Sequence, residues 1–388
     1  MRVLLAPESF GSTLGATQAA AAMADGWSRG APHDEVETLP LSGGGPGFLD
    51  VLQGALGGVM VSVTVSDPLG REVPAAVLLI DGEGSRTAYV EAAQASGLHL
   101  LGADERNPVL TSTWGVGELL EAAVAEHATR VVIGCGGGAT NDAGAGLLGA
   151  LGAGPASVLA RGGGVLATAP DDVLLGLPAV IDRLAGVDLV LATDEDTPLL
   201  GLKGTSAVES PRKGATAEQA QSLEAAIGRF TDVLARALPD PPLDLLTGRP
   251  RRLDREPGAG AAGGLGYALL ALGARRVGAV ESVMEAVGFG AACARSDLVV
   301  TGTGRLDWSS MRGSVVSEVA GAAAMTGQPA VVLAGECLVG RRETMNLGLA
   351  ACYAVAERPA EVEAMMADPV TTLSQRTARV ARTWSPAR

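Results

Sequence analysis

Carboxylates just past a buried strand are the first residues in this chain that could do chemistry. Leu189–Ala192 is an apolar run, and Asp194 and Asp196 follow it at alternate positions, on one side if the backbone stays extended. In open α/β sheets ligands sit beyond strand C-termini. Two acids there suit Mg²⁺ coordination beside phosphate, or a base for a substrate hydroxyl; capping a turn before Thr197–Pro198 is the other use for them. A second element is VVIGCGGGATNDAGAG, Val131–Gly146. Its apolar start is a buried strand, and Gly136, Gly137 and Gly138 let backbone N–H groups approach an anion. Thr140, Asn141 and Asp142 could hold a ligand or metal, or Asn141 or Asp142 could simply cap a helix starting near Asn141. The loop matches neither the GxGxxG nor the P-loop pattern. Arg212 and Lys213 precede a helix start at Thr216 and offer cations to a phosphate or carboxylate, or to solvent. In VVTGTGRLD, Val299–Asp307, the same logic repeats, with Arg305 and Asp307 beyond the strand end.

Composition narrows the partners. The 388 residues carry a formal net charge of −14, which argues against nucleic acid, because neutralising phosphates needs a basic face. No apolar run approaches bilayer length, and MRVLLAPESF is too short in apolar residues for a signal peptide, so a cytoplasmic protein is expected. The 54 glycines and 3% aromatic content imply Ala/Val/Leu cores with close backbone approaches. Cys135, Cys293, Cys337 and Cys352 have no metal or CxxC spacing and read as buried free thiols, not a disulfide framework. His33, His99 and His127 sit in no motif.

The elements that must position these residues alternate along the chain. Strands are expected at Val3–Ala6 and Val36–Leu39, with helices at Ala16–Trp27 and after the Gly43–Gly47 turn. From Val59 to Val90 the pattern is β-rich, broken by the turns Asp67–Gly70 and Asp81–Gly84. Gly117–His127 is helical, Thr216 opens a helix through Ala237, and Pro239–Arg255 is a surface excursion. Pro257–Gly266 is a second glycine loop before a helix. Strands at Leu298–Thr301, Ala330–Ala334 and Ala351–Val355 follow, and Pro369–Arg388 is an amphipathic helix. The two ends share a βα texture that the middle lacks. The pattern allows a domain built from both ends around an insertion, or two consecutive domains split near Pro257.

With these motifs in order, the chain resembles the bacterial class I glycerate kinases over essentially its full length. The shared elements are APESF (Ala6–Phe10), VEAAQASGL (Val90–Leu98), ERNPVLTSTWGVGEL (Glu105–Leu119), the first glycine loop, ATDEDTPLLG, Lys213–Thr216, PGAGAAGGLG and TGTGRLD. The resemblance implies transfer of the ATP γ-phosphoryl group to D-glycerate with Mg²⁺. It implies two α/β domains around a cleft: a flavodoxin/Rossmann-like layered domain from residues 1–64 and 290–388, and an inserted mixed α/β domain over 65–289. In this frame Asp194, Asp196, Arg305 and Asp307 are the catalytic candidates, with Asp194 and Asp196 also the metal ligands. Gly136, Gly137, Gly138, Thr140, Asn141 and Asp142 would bind nucleotide, and Glu8, Ser9, Lys213 and Arg312 substrate. The partners implied are a small-molecule substrate, D-glycerate or a related hydroxy acid, and, as one option, further copies of the chain in a homo-oligomer.

Several positions depart from the family pattern. Glu8 replaces Asp and Gly11 replaces Lys in PDSFKGS; Gly43, Pro46 and Phe48 replace Asp, Glu and Thr in DGGEGT. Thr303, Ser309 and Ser314 replace Glu, Gln and Lys in GEGRIDxQTxxGK. Phosphoryl transfer depends on placed charge, so these losses weigh against ordinary kinase activity. Phe48 and Trp308 would make the altered wall more apolar. Two further readings therefore stand beside the glycerate kinase: a relative repurposed for another small hydroxy acid or reaction, and an inactive ligand-binding pseudokinase.

Overall fold

The four apolar residues Val3–Ala6 form the centre of the first strand, β1 (Arg2–Pro7), and all four are buried. Four other strands join it in the computed structural model, which describes residues 1–11, 13–244 and 247–386. They are β2 (Glu35–Thr38), β9 (Leu298–Leu306), β10 (Ala330–Cys337) and β11 (Leu349–Ala354), every neighbouring pair parallel, in the order β2-β1-β9-β10-β11. Counted along this unit alone, that is the 2-1-3-4-5 order of flavodoxin-like sheets, with its switch point between β1 and β9. Strands buried on both faces need continuous apolar runs, and Leu298–Val300 and Ala330–Ala334 supply them. The Ala16–Gly30 and Pro369–Trp384 helices pack together, burying Met23, Trp27, Leu373 and Val380.

The second sheet holds β3 (Val59–Ser66), β4 (Glu72–Gly82), β5 (Ser85–Glu91), β6 (Arg130–Gly134), β7 (Asp188–Ala192) and β8 (Arg275–Val277), in that order. The β3-β4-β5 meander is antiparallel, joined by the two turns expected at Asp67–Gly70 and Asp81–Gly84, and β5 to β8 pair in parallel. Its core includes Val131, Ile133, Leu189 and Leu191, in one apolar cluster with residues of the Trp114–Ala125 and Ala217–Ala237 helices among others. Thr216 caps the latter helix, its hydroxyl accepting from the Gln219 N–H. The chain is thus α/β, and it divides into two compact units: Met1–Gly43, Asp50–Gly57 and Gly278–Arg388 in one, Gly44–Leu49 and Gly58–Val277 in the other. No helix among the described residues is long and apolar enough to cross a membrane.

One local expectation needs correction, and three other segments gain detail. The helix after the first glycine loop begins at Ala145, not near Asn141, because Ala143 (φ 53°) and Gly144 (φ 72°) turn the chain out of helical conformation first. The short strand β8 carries Arg275 and Arg276 on an edge and has no apolar run to announce it. Pro239–Arg255 contains one isolated bridge, Leu243 to Pro250, and a 3₁₀ turn at Leu253–Arg255, with residues 245 and 246 outside the described set. The final helix is described to Trp384; residues 387 and 388 of the expected span lie outside the described residues.

Candidate active site

After β6 the first glycine loop packs backbone against backbone on neighbouring segments. A Cβ on Gly136 would come 2.9 Å from Gly45, one on Gly137 (φ 69°) 3.0 Å from the Pro46 ring, and one on Gly138 3.2 Å from Ala262. Protein atoms therefore fill the space each missing side chain leaves. Asp142 is fully buried, and its carboxylate accepts from the N–H groups of Thr113 (2.8 Å), Gly144 (3.0 Å) and Gly146 (3.1 Å) and from the Thr113 hydroxyl (2.9 Å). Burial pushes its carboxyl up, against those donors. The group anchors the loop and the first turn of the helix behind it.

Thr140 and Asn141 turn the other way. The Thr140 hydroxyl donates to the Ala262 carbonyl at 3.2 Å, inside the second glycine loop. Asn141, with no exposed surface, donates through Nδ2 to the hydroxyls of Ser206 (3.1 Å) and Ser210 (2.6 Å). Lys213, 4% exposed, reaches beneath the loop and donates from Nζ to the Thr140 carbonyl at 2.8 Å. Burial lowers the Lys213 ammonium and raises the Glu195 carboxyl, while the attraction between the two opposes both shifts. Two buried acceptors in this cluster, Asn141 Oδ1 and Glu195 Oε2, have no hydrogen-bond partner. An unmet buried acceptor costs about 1–3 kcal/mol, so donors from water or from a bound molecule would stabilise the pair.

Asp194 and Asp196 leave β7 with different surroundings. Asp194 is half-buried, whereas Asp196 is exposed and paired with Arg276 of β8 at 2.6 Å. The chain turns after Ala192, so strand alternation no longer governs the segment, and Glu195 between them enters the polar cluster. Among the described residues no group of three or more His, Cys, Asp or Glu side chains is placed to hold a metal. A Mg²⁺ ion that keeps its waters and phosphate oxygens needs only one or two carboxylates.

In the other unit, Glu8 and Ser9 follow β1 at the sheet's switch point. They line a cavity of about 430 Å³ with Phe10, Thr303, Arg305 and Glu336, and with the apolar Met365, Met366 and Leu373. Desolvation pushes Glu8 up to about 7, partly offset by its hydrogen bond with Thr303. Asp307 caps a 3₁₀ turn, accepting from Ser309 N (2.9 Å) and Oγ (2.6 Å), and lies 3.8 Å from Arg305. These bonds, the Ser309 hydroxyl foremost, hold its carboxyl below the usual range. Arg312 is exposed beyond that turn, and Ser314 caps the Val315–Thr326 helix by accepting from Ser317 N. Phe48 does not face an altered wall: it is 1% exposed and packs edge-on to Tyr89, ring centres 6.2 Å apart. Trp308 is 70% exposed.

Two carboxylates escaped the reading by sequence. Glu195 sits inside TDED, where strand alternation favours the acids on either side of it. Glu91 closes the Gly43–Gly47 turn, accepting from the N–H groups of Gly47 (3.1 Å) and Leu49 (3.3 Å). Its position at the end of a β-run, in VEAAQ, was the available signal.

Known proteins resemble the chain throughout. A model of the glycerate kinase family matches residues 3–385. A glycerate kinase of Bacillus subtilis (strain 168) is 39% identical over 360 residues, covering 92% of this chain and 90% of its own. The glycerate 2-kinase of Escherichia coli (strain K12) is 35% identical over 340 residues, covering 86% of this chain and 85% of its own. A crystal structure of a candidate glycerate kinase 2 from Salmonella typhimurium LT2 superposes with a TM-score of 0.75 at 33% identity, over 99% of this chain and 98% of that one.

Proposed function

This chain belongs to the glycerate kinase family, and we propose that it transfers the γ-phosphoryl group of ATP to a hydroxyl of D-glycerate. The observation that carries the reading is the buried set of Asn141 Oδ1, Glu195 Oε2 and the Lys213 ammonium. Glycerate offers two hydroxyl donors and one carboxylate, which complements two unmet acceptors and one cation. Lys213 would hold the carboxylate, Asn141 would orient a hydroxyl through an amide already fixed by Ser206 and Ser210, and Glu195 would take the proton of the attacking hydroxyl. A carboxyl raised by burial suits that role, because a general base works best with a pKa near the working pH. Within the five-stranded unit, Glu8, Ser9 and Arg305 would line a ligand pocket of their own at the sheet's switch point, with Asp307 3.8 Å from Arg305 and Arg312 exposed beyond the following turn.

Asp194 and Asp196 supply hard oxygen donors past β7 and would hold Mg²⁺, with Asp196 exchanging its Arg276 partner. The ion, when bound, neutralises charge on the phosphate oxygens.

The test is an assay with ATP, Mg²⁺ and D-glycerate that separates the two phosphoglycerate products. Turnover of about 1–100 per second is expected of a kinase. Glu195→Gln should lower kcat by about 10²–10⁴-fold in a folded protein, and Asp194→Asn and Asp196→Asn should abolish turnover. Wild-type protein that leaves D-glycerate unphosphorylated overturns the reading, and unchanged rates in the variants overturn those residue roles.

A further inference from the structure

Cys337 and Cys352 are separated by a helix and a turn in sequence, and the sheet register pairs Cys352 with Val332 instead. The fold nevertheless brings their sulfurs to 3.3 Å, as free thiols. Cys337 ends β10 and Cys352 lies within β11. Neither is sealed in the core: both line a cavity of about 630 Å³ with Arg341, Thr344, Glu357 and Arg376. The Arg376 guanidinium, held by Glu357 at 2.5 Å and lying 5.6 Å from the Tyr353 ring centre, attracts a thiolate at Cys352, against the burial that disfavours one. Cys135 and Cys293 are buried elsewhere and share none of this.

We propose that Cys337 and Cys352 form a reversible intramolecular disulfide by exchange with a low-molecular-weight disulfide. One protein thiol gives up its proton, and its thiolate attacks a sulfur of the small disulfide, forming a mixed disulfide and releasing one small thiolate. The second protein thiolate attacks the protein sulfur of that intermediate, forming the Cys337–Cys352 bond and expelling the other small thiolate. The two protons lost by the cysteines end on the two small thiols, so the protein is oxidised by the two electrons its partner gains. Closing the sulfurs from 3.3 Å to a bond of about 2.05 Å needs an approach of little more than 1 Å. Glu336, the residue before Cys337, lines the switch-point cavity, so the bond would fix the strand end from which that cavity is built. The proposal is independent of which reaction the chain catalyses.

The experiment treats the full-length native protein with glutathione disulfide, alkylates the remaining thiols, and maps the digested peptides by mass spectrometry. The expected result is a Cys337–Cys352 linked peptide that dithiothreitol abolishes, with Cys135 and Cys293 alkylated only after unfolding. Cys352→Ser should yield a glutathione adduct at Cys337 and no linked peptide. The oxidised wild type should also show a higher denaturant midpoint than the reduced form. Wild-type protein that carries stable glutathione adducts at both positions, or two unmodified thiols after prolonged exposure at mildly alkaline pH, overturns the proposal.

Discussion

The exchange of Glu8 and Thr303 for an Asp and Glu in the family pattern replaces two carboxylates with one carboxyl and a hydroxyl. At Glu8 the consequence is titration. Its folded-state value of about 7 lies above the ordinary 4.5, so between those values the folded chain binds more proton than the unfolded chain. Stability is then greatest below about pH 4.5 as far as this group is concerned, and falls as pH rises through about 7. The shift is worth at most about 3 kcal/mol, and less here because the cavity wall is open to water. Glu8→Gln should remove that decline, which urea unfolding of both proteins between pH 5 and pH 8 would reveal; parallel slopes would rule out a raised Glu8. Thr303→Glu alone would crowd a second carboxylate against Glu8 and lower stability. Glu8→Asp should relieve part of that loss, with a coupling of about 0.5–3 kcal/mol in a double-mutant cycle; strictly additive effects would show that the two positions do not communicate.

Among the elements, the two glycine loops hold the polar cluster by interlocking. Gly263 has φ 76°, and a Cβ there would overlap the Thr140 carbonyl oxygen, the same oxygen that accepts from Lys213. Gly263→Ala should therefore destabilise the chain by about 2–4 kcal/mol and also weaken whatever Lys213 holds. Thermal unfolding and substrate titration check the two halves, and a variant with wild-type Tm would show the loop to be loose. The sequence made the strands legible, because Leu298–Val300 and Ala330–Ala334 are apolar runs with glycines or acids beyond them. It also placed Thr216 as a helix start. It did not show that Asp142 would bind N–H groups from two sides of the loop. Nor did it show that Ala262–Gly264 would leave helical geometry to dock on Thr140 and Ala143, a contact between residues more than a hundred positions apart. Glu195 was hidden for a related reason: alternation in TDED predicts which acids share a side only while the backbone stays extended.

At the scale of the whole molecule, the five-stranded sheet depends on both chain ends, with β1 hydrogen-bonded between β2 and β9. The Pro369–Trp384 helix closes this unit. A Cβ on Gly26 would overlap the Ser374 carbonyl, and one on Gly30 the Ala378 carbonyl, so the first and last helices cross with backbones nearly touching. Asp34, its side chain fully buried, gathers the Trp27 indole N–H (3.0 Å), the Ser385 hydroxyl (2.9 Å) and the Met1 ammonium (2.9 Å). Burial alone would raise its carboxyl, but these partners hold it below the usual range. Ending the chain after Asp368 removes Ser385 and uncovers Met23 and Trp27. It also forfeits the burial of Leu373 and Val380, about 1.5–3 kcal/mol each. Against a typical stability of about 5–15 kcal/mol for a whole domain, that loss should unfold the terminal unit. The six-stranded sheet is built from Val59–Val277 with its own core and uses no residue of the last helix. Hydrogen exchange on the truncated chain should then show fast exchange in β1, β9 and the Ala16–Gly30 helix, with β5, β6 and β7 still protected. Protection lost equally in both sheets would show that the two units fold as one, and protection kept in β1 would show that the last helix is dispensable.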